Sequence, residues 1–264
     1  MTFNFSKYQG TGNDFILIDN RTLSFEINPV TIANLCHRRF GIGADGLMLL
    51  QNKSGYDFEM VYFNADGHES SMCGNGGRCI AAFASYLGII KDRGTFWAID
   101  GEHLVEIKEN KFPEMIVSLK MIDVVDIIKS NDSYILNTGS PHYITFTNDV
   151  EKIDVIKQGK EIRNSSEFIK DGINVNFVEI QKNSIKMRTY ERGVEDETFS
   201  CGTGATAAGI AAIFSGKLTS IESVPIQVSG GNLKVHFSKI GNKGFHDIWL
   251  EGPASFVFTG KIEV

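Results

Sequence analysis

The chain has 264 residues, of which 42% are hydrophobic and 22% charged, so it is long enough for one large globular domain or two ordinary ones. Its formal net charge is −6, and its lysines and arginines are scattered, which argues against a nucleic-acid partner. The longest apolar run, Cys79 to Ile90, is too short to cross a bilayer, and the first residues lack the pattern of a signal peptide. We therefore expect a cytoplasmic protein without a membrane partner.

Alternation of apolar and polar residues predicts strands along most of the chain. Helices are predicted after Cys73 and after Cys201, where alanines recur among apolar residues spaced three and four apart. The segment "VTIANLCHRRF", which contains Cys36, also has a helical pattern. In chain order, the strand patterns are "DFILID", "LVEIK", "EMIVSL", "NVNFVEI", "IQVSG" and "LKVHF".

The two halves of the chain share one pattern. An offset of 128 residues pairs Cys73 with Cys201, together with two following glycines and an alanine-rich run. Each half has the order strand, polar loop, cysteine, helix, strand, and two copies are too few for a solenoid or propeller. We predict a duplication that gives two similar α/β domains, with the active site between them. The predicted N-terminal domain is 1–118, completed by 253–264, and the C-terminal domain is 119–252.

Each repeated cysteine stands just before the glycine-rich first turn of a predicted helix. Unpaired backbone N–H groups and the positive end of the helix dipole therefore point toward the sulfur. Such a position lowers a thiol pKa from about 8.5 toward neutrality, and the same N–H groups can bind a carboxylate. Two thiols on opposite faces of an α-carbon can invert it, since one removes the proton and the other returns one. We predict that Cys73 and Cys201 form this pair.

Other interpretations of the cysteines are less well supported. A single cysteine near a helix start is usually a small buried residue, and we interpret Cys36 and Cys79 in this way, but the repeated motif favours function for the other two. The spacing of "CGNGGRC" and the absence of CxxC or HxxxH pairs argue against a structural zinc site. A disulfide between Cys73 and Cys201 is an expected oxidative side reaction. A nucleotide site is disfavoured because "GTGND" and "CGTGA" contain neither GK[ST] nor GxGxxG.

The motifs "GTGNDF", "FNADG", "MCGNGGRC", "GSPH", "YERG" and "SCGTGA" occur in this order, and with them the chain resembles the diaminopimelate epimerase family over nearly its whole length. The resemblance implies an α/β (α+β) fold class, with two pseudo-symmetric domains that each wrap a curved, mostly antiparallel sheet around a central helix. It also implies a homodimer that interconverts LL- and meso-2,6-diaminopimelate without a cofactor or metal.

The resemblance also implies roles for individual residues. The catalytic thiols fall on Cys73 and Cys201, and His142, together with Glu191, is expected to tune their pKa values. Many relatives have Asn where Ser140 stands, and some have Gln where Gly46 stands. Ser140 is therefore carried over as a single hydrogen-bonding group. The other implied substrate-binding residues are Gly74, Asn75, Gly202 and Thr203 at the reacting carboxylate, and Asn13, Asn64, Asn174, Glu191 and Arg192 at the distal end.

Two further functions stay open at the level of the sequence. A racemase or epimerase of proline, hydroxyproline or histidine on the same fold would use the same thiols, although Asn75 and the "YERG" motif favour a substrate with a distal carboxylate. A phenazine-biosynthesis-like isomerase is disfavoured because those relatives lack the paired cysteines. A non-catalytic binding module would have no use for two activated thiols.

Overall fold

A computed structural model describes residues 2–219, 222–240 and 244–263. The chain divides into two compact units: unit 1 comprises Met1–Leu119 and Gly252–Val264, and unit 2 comprises Lys120–Glu251. Within the described residues, no helix has the length and apolar character needed to span a membrane.

Strands outnumber helices in both units. The helices are α1 (Pro29–Cys36), α2 (Gly74–Tyr86), α3 (Val155–Arg163) and α4 (Gly202–Phe214), with a short 3-10 helix at Val150–Lys152. The strands of the first half are β1 (Thr2–Gly10), β2 (Asn13–Asp19), β3 (Gly46–Gln51), β4 (Phe58–Asn64), β5 (Arg93–Ala98), β6 (Gly101–Lys111) and β7 (Glu114–Lys120). Those of the second half are β8 (Ile127–Ser130), β9 (Ser133–Asn137), β10 (Pro141–Thr147), β11 (Asn174–Ile180), β12 (Ile185–Glu191), β13 (Asp196–Thr198), β14 (Ser223–Val228), β15 (Gly231–Ile240) and β16 (Gly244–Glu263).

Unit 1 is a sheet closed around a helix. Its strands are hydrogen-bonded in the order β1 to β7, then the C-terminal part of β16, which pairs with both β7 and β1. Helix α2 packs against β1, β2, β3 and β6, and every residue from Gly74 to Ala84 is buried. Glycine and alanine at these positions let the surrounding strands approach the helix closely, so α2 forms the centre of the core.

Unit 2 repeats this design. Its sheet has the order β8, β9, β10, β11, β12, β14, β15 and the N-terminal part of β16, and β13 pairs with the side of β12. An isolated bridge between Val124 and Phe245 joins the segment before β8 to β16. Helix α4 packs against strands from β9 to β15 and is buried along almost its whole length. Its alanine-rich sequence explains both the helix and its central position.

The two sheets also share the direction of their strand pairs. In unit 1 the parallel pairs are β2–β3 and β4–β5, and in unit 2 they are β10–β11 and β12–β14, whereas the other pairs are antiparallel. The predicted fold class, a mostly antiparallel sheet around a central helix in each half, is therefore confirmed.

Some predicted elements end earlier than their patterns suggest. The strand predicted at "IQVSG" stops at Val228, because Ser229 and Gly230 form the turn into β15. The helical pattern around Cys36 stops at that residue, because His37 Nδ1 accepts the backbone N–H groups of Arg39 and Phe40 at 3.1 Å each and the chain turns there.

Candidate active site

The first repeated cysteine caps helix α2. Cys73 has extended backbone angles (φ −106°, ψ 148°), and its sulfur accepts the backbone N–H of Gly76 at 3.2 Å. A Cβ atom on Gly76 would lie 2.4 Å from Met48 Cε and 3.1 Å from Cys73 Sγ, so the glycine leaves the space in which the sulfur sits. The thiol is thus held against the backbone donors of the first helical turn, as the sequence predicted.

An ordered pair of amides lies beside this helix start. Asn75 Nδ2 donates to Asn13 Oδ1 at 2.5 Å, and Asn13 Nδ2 donates to Asp45 Oδ2 at 2.9 Å. Asn75 Oδ1 accepts from Thr11 Oγ1 at 3.2 Å and from Arg78 Nη2 at 3.0 Å. Because every amide atom in this chain has a defined role, the structure brings Asn13 and Asn75 together in fixed orientations.

Arg78 supports this network from inside unit 1. Its side chain is fully buried, and it donates to Gly74 O at 3.1 Å, Thr11 Oγ1 at 3.2 Å and Pro253 O at 3.3 Å. Burial lowers the pKa of Arg78 to about 10, and negative charge on Cys79 or Cys73 acts against that decrease. The guanidinium is therefore charged at neutral pH. The sequence reasoning missed Arg78, although an arginine between a glycine-rich turn and an alanine run was a signal.

Asn64 is the third predicted asparagine of unit 1. It is exposed at the end of β4, where its partner in β3 is Gly46. A Cβ atom on Gly46 would lie 2.5 Å from both Phe63 O and Tyr62 Cε2. The Phe63 carbonyl and the Tyr62 ring thus occupy the space that a side chain at position 46 would need.

The second repeated cysteine, Cys201, occupies the N-cap position of helix α4, but without the side-chain cap hydrogen bond that was predicted for both cysteines and that Cys73 makes. Cys201 is extended (φ −122°, ψ 112°), and its sulfur lies 3.5 Å from Thr203 Oγ1. Thr203 Oγ1 in turn lies 2.9 Å from His142 Nε2, and the Thr203 carbonyl accepts from Thr138 Oγ1 at 2.8 Å. A hydroxyl therefore connects the sulfur to a histidine within unit 2.

His142 is fully buried in unit 2. Burial, together with the positive charge of Arg192, lowers its pKa to about 3, so the imidazole is neutral at physiological pH. Glu191, which the sequence analysis grouped with His142, accepts a hydrogen bond from Thr198 Oγ1 at 2.8 Å. The histidine's connection to Cys201 through Thr203 was not predicted.

A polar cluster of Ser140, Asn174 and Arg192 forms where β10, β11 and β12 meet. Asn174 Nδ2 donates to Ser140 Oγ at 2.9 Å and to Pro141 O at 3.1 Å, and Asn174 Oδ1 accepts the backbone N–H of Arg192 at 2.9 Å. The Arg192 guanidinium donates to Asp171 O at 3.0 Å and lies 3.4 Å from Ser140 Oγ. Predicted site residues from three separate segments of the sequence are thus adjacent in unit 2.

The other two cysteines lie in the core of unit 1, as predicted. Cys36 and Cys79 are buried, and burial raises the pKa of both thiols, to about 12 for Cys36. Neither is suited to thiolate chemistry at neutral pH. No group of three or more His, Cys, Asp or Glu side chains that could hold a metal ion occurs in residues 2–219, 222–240 and 244–263.

Comparison with known proteins identifies related sequences along almost the whole chain. The family model described as diaminopimelate epimerase matches residues 5–121 and 134–257. A diaminopimelate epimerase of Flavobacterium psychrophilum is 52% identical over 97% of this chain and 98% of its own length. One of Chlorobaculum tepidum is 42% identical, over 96% and 98% respectively.

Solved structures share the fold at low sequence identity. A phenazine biosynthesis protein of the PhzF family from Bacillus anthracis has a TM-score of 0.75 at 15% identity, and covers both chains completely. A hydroxyproline epimerase from Agrobacterium vitis, solved with trans-4-hydroxy-L-proline, has a TM-score of 0.67 at 11% identity and covers 99% of this chain and 91% of its own. At such identities the likeness extends to the fold alone.

Proposed function

Because the chain belongs to the diaminopimelate epimerase family, we propose that it interconverts LL- and meso-2,6-diaminopimelate by proton transfer between two thiols and the α-carbon. The observation that carries this proposal is the repeated helix start. In each unit a cysteine is the N-cap of a central helix, with a glycine-rich first turn directly behind it. A binding protein would gain nothing from placing two thiols at such positions.

The chemistry follows from the requirements of inversion at carbon. One cysteine, as thiolate, removes the α-proton from one face, and the other, as thiol, delivers a proton to the opposite face. The C–H bond breaks on one side and a new C–H bond forms on the other, so the substrate keeps its atoms and the enzyme ends with its two protonation states exchanged. We assign Cys73 as the donor and Cys201 as the acceptor from LL to meso, with the roles reversed in the other direction.

The carbanion formed in between needs stabilisation at the neighbouring carboxylate. The first backbone N–H groups of an α-helix point away from the helix and can bind an anion. We assign those of Gly74 and Asn75 in α2, and of Gly202 and Thr203 in α4, to this carboxylate. Such groups, aligned with the helix dipole, favour a carboxylate on which negative charge develops. No cofactor is required by this scheme.

The distal amino acid group of the substrate needs donors and acceptors in fixed positions. We assign Asn174, Arg192 and Ser140 to this role, supported by their cluster in unit 2, in which the Arg192 guanidinium can pair with a carboxylate. Glu191 would accept from the distal ammonium group. We assign Asn13 and Asn64 from unit 1 to the same end of the substrate.

Proton NMR in D2O tests the proposal. Purified protein is mixed with LL-diaminopimelate and a reductant, without added pyridoxal phosphate or metal. We expect the meso isomer to appear with one deuterium at the inverted α-carbon. Deuterium exchange into proline or histidine, and none into diaminopimelate, would keep the two-thiol mechanism but reject the substrate. Absence of exchange into any of these amino acids would reject the enzyme assignment.

We also propose that the protein is a homodimer that works in the cytoplasm, where reducing conditions keep thiols reduced. An aromatic cluster on unit 1 supports self-association: Tyr86 and Phe112 are exposed, and the ring centroids of Phe112 and Phe256 are 5.1 Å apart. Light scattering after gel filtration should give twice the mass of the chain. A monomer mass at micromolar concentration would reject the dimer, and Phe112→Asp tests whether this cluster forms the interface.

A further inference from the structure

A row of buried polar groups stands behind Cys201 in unit 2. It runs from Asn176 through His142 and Thr203 to the sulfur, with successive distances of 3.1, 2.9 and 3.5 Å. Asn176 and His142 are both fully buried. Asn176 belongs to none of the groups assigned above, yet a buried amide has to be hydrogen-bonded to be tolerated, so its orientation can be worked out from its partners.

Two backbone carbonyls determine which end of the Asn176 amide faces His142. Asn176 Nδ2 lies 3.2 Å from Tyr143 O and 3.5 Å from Asn174 O. A carbonyl oxygen can only accept, so the NH2 group has to face this side. The other end of the amide agrees, because Asn176 Oδ1 accepts from Thr189 Oγ1 at 2.9 Å.

The helix that begins after Cys201 also holds this amide in place. A Cβ atom on Gly204 would lie 2.5 Å from Asn176 Oδ1, so the amide packs directly against the first turn of α4 where that glycine has no side chain. Rotation of the amide is therefore opposed by packing as well as by hydrogen bonds.

The amide orientation sets the tautomer of the histidine. Because Asn176 Nδ2 donates to His142 Nδ1, this ring nitrogen accepts and carries no proton. The proton of the neutral ring is then on Nε2, which donates to Thr203 Oγ1. With its oxygen occupied as an acceptor on that side, the Thr203 hydroxyl is free to direct its own hydrogen toward Cys201 Sγ.

We propose that Asn176 is a positioning residue for Cys201: its amide fixes His142 as the Nε2–H tautomer, and the Thr203 hydroxyl thereby becomes a hydrogen-bond donor to the Cys201 thiolate. The role rests on the proposed function, in which Cys201 exchanges a proton with the substrate. A donor to the sulfur favours its thiolate form, whereas the opposite tautomer would draw the same hydroxyl hydrogen to Nε2 and away from the sulfur.

The tautomer is measurable without substrate. Long-range proton–nitrogen NMR spectra of protein labelled with 15N-histidine distinguish the two neutral forms, and His142→Gln identifies the signal among the six histidines. We expect the wild-type protein to show a protonated Nε2 and an unprotonated Nδ1. In Asn176→Asp the new carboxylate is an acceptor, so Nδ1 should gain a proton. A protonated Nδ1 in the wild-type protein would overturn the proposal even if the variant did not fold.

The reactivity of Cys201 tests the proposed hydrogen bond from the Thr203 hydroxyl to the sulfur. In a Cys73→Ser background, iodoacetamide should alkylate Cys201 at pH 7 about tenfold more slowly when Thr203 is changed to Val, because the thiolate loses its hydroxyl donor. Thr189→Val is the matched control: it removes another buried hydroxyl of the network, but the carbonyls of Tyr143 and Asn174 still orient the amide. Equal alkylation rates in all three proteins would show that the hydroxyl does not act on the sulfur. Turnover of diaminopimelate is assayed separately, so failure of the proposed function would leave these results unchanged.

Discussion

The helices α2 and α4 begin with the same Cys-Gly-x-Gly sequence, yet different groups lie behind their first turns. In α2 the fifth residue is Arg78, a buried cation that donates to Gly74 O. In α4 the equivalent residue is Thr206, whose hydroxyl donates to Gly202 O at 3.1 Å. Both side chains thus bond back to the first residue of the helix, but only the first adds a charge, while the Cys201 side is supported by the neutral His142.

This difference shows what a duplication conserves and what it leaves to diverge. Both helix starts have a cysteine at the N-cap and glycines in the first turn, but only the Cys73 side chain accepts a backbone N–H of that turn. The side chains behind each first turn are held by partners from other strands, and they differ. In unit 1 the side chain is a permanent cation, and in unit 2 it is an uncharged imidazole. The two thiols therefore share a local motif but have different electrostatic surroundings.

The largest effect is expected when either thiol is removed. Cys73→Ala and Cys201→Ala should each reduce epimerisation by roughly 10²- to 10⁴-fold or more, since one face of the α-carbon loses its proton carrier. Deuterium NMR with LL-diaminopimelate measures the rate, and Cys36→Ala is the control because that thiol is buried in the core. A near-wild-type rate in either of the two variants would contradict the two-thiol mechanism.

A stability comparison tests the two residues behind the first turns. Arg78→Met leaves the acceptors Gly74 O, Pro253 O and Asn75 Oδ1 buried without this donor, and we expect the free energy of unfolding to fall by about 3–5 kcal/mol. Thr206→Val removes one hydroxyl and should cost about 0.5–1.5 kcal/mol. Urea unfolding curves measure both. If the free energy of unfolding fell by similar amounts in the two variants, the charge of Arg78 would contribute no more to stability than a neutral hydroxyl does.

The smallest effect is expected from the neutral His142 of unit 2, through the pH dependence of stability. His142 has a pKa of about 3 in the folded protein, against about 6.5 when unfolded, so between these values the unfolded chain binds a proton that the folded chain does not. Stability from this group is complete above pH 6.5 and is lost as the pH falls, by at most about 1.4 kcal/mol per pH unit. Urea unfolding at pH 6.5 and 5.0 should show a smaller loss in His142→Gln than in the wild type. The exposed His68→Gln variant should behave like the wild type.

How far the sequence could predict these sites depends on whether the partners are local. The caps at Cys73 and Cys201 were predictable because glycines, alanines and apolar spacing lie next to them in the chain. Arg78 and Asn176 were missed because their hydrogen-bond partners are distant in the sequence. Arg78 donates to Pro253, 175 residues away, and Asn176 contacts His142 on the neighbouring strand. Hydrophobic patterns predict which residues are buried, but they do not show which polar group a buried arginine or amide will meet.

The last strand has a consequence for how the protein is made. The C-terminal part of β16 lies between β7 and β1 in the sheet of unit 1, whereas unit 2 is a single continuous stretch of chain. A ribosome synthesises the first 119 residues of unit 1 before any of unit 2, yet this sheet cannot close until β16 has emerged. The half that is translated first is thus the half that is completed last, and until then the edges of β1 and β7 are exposed to other nascent chains.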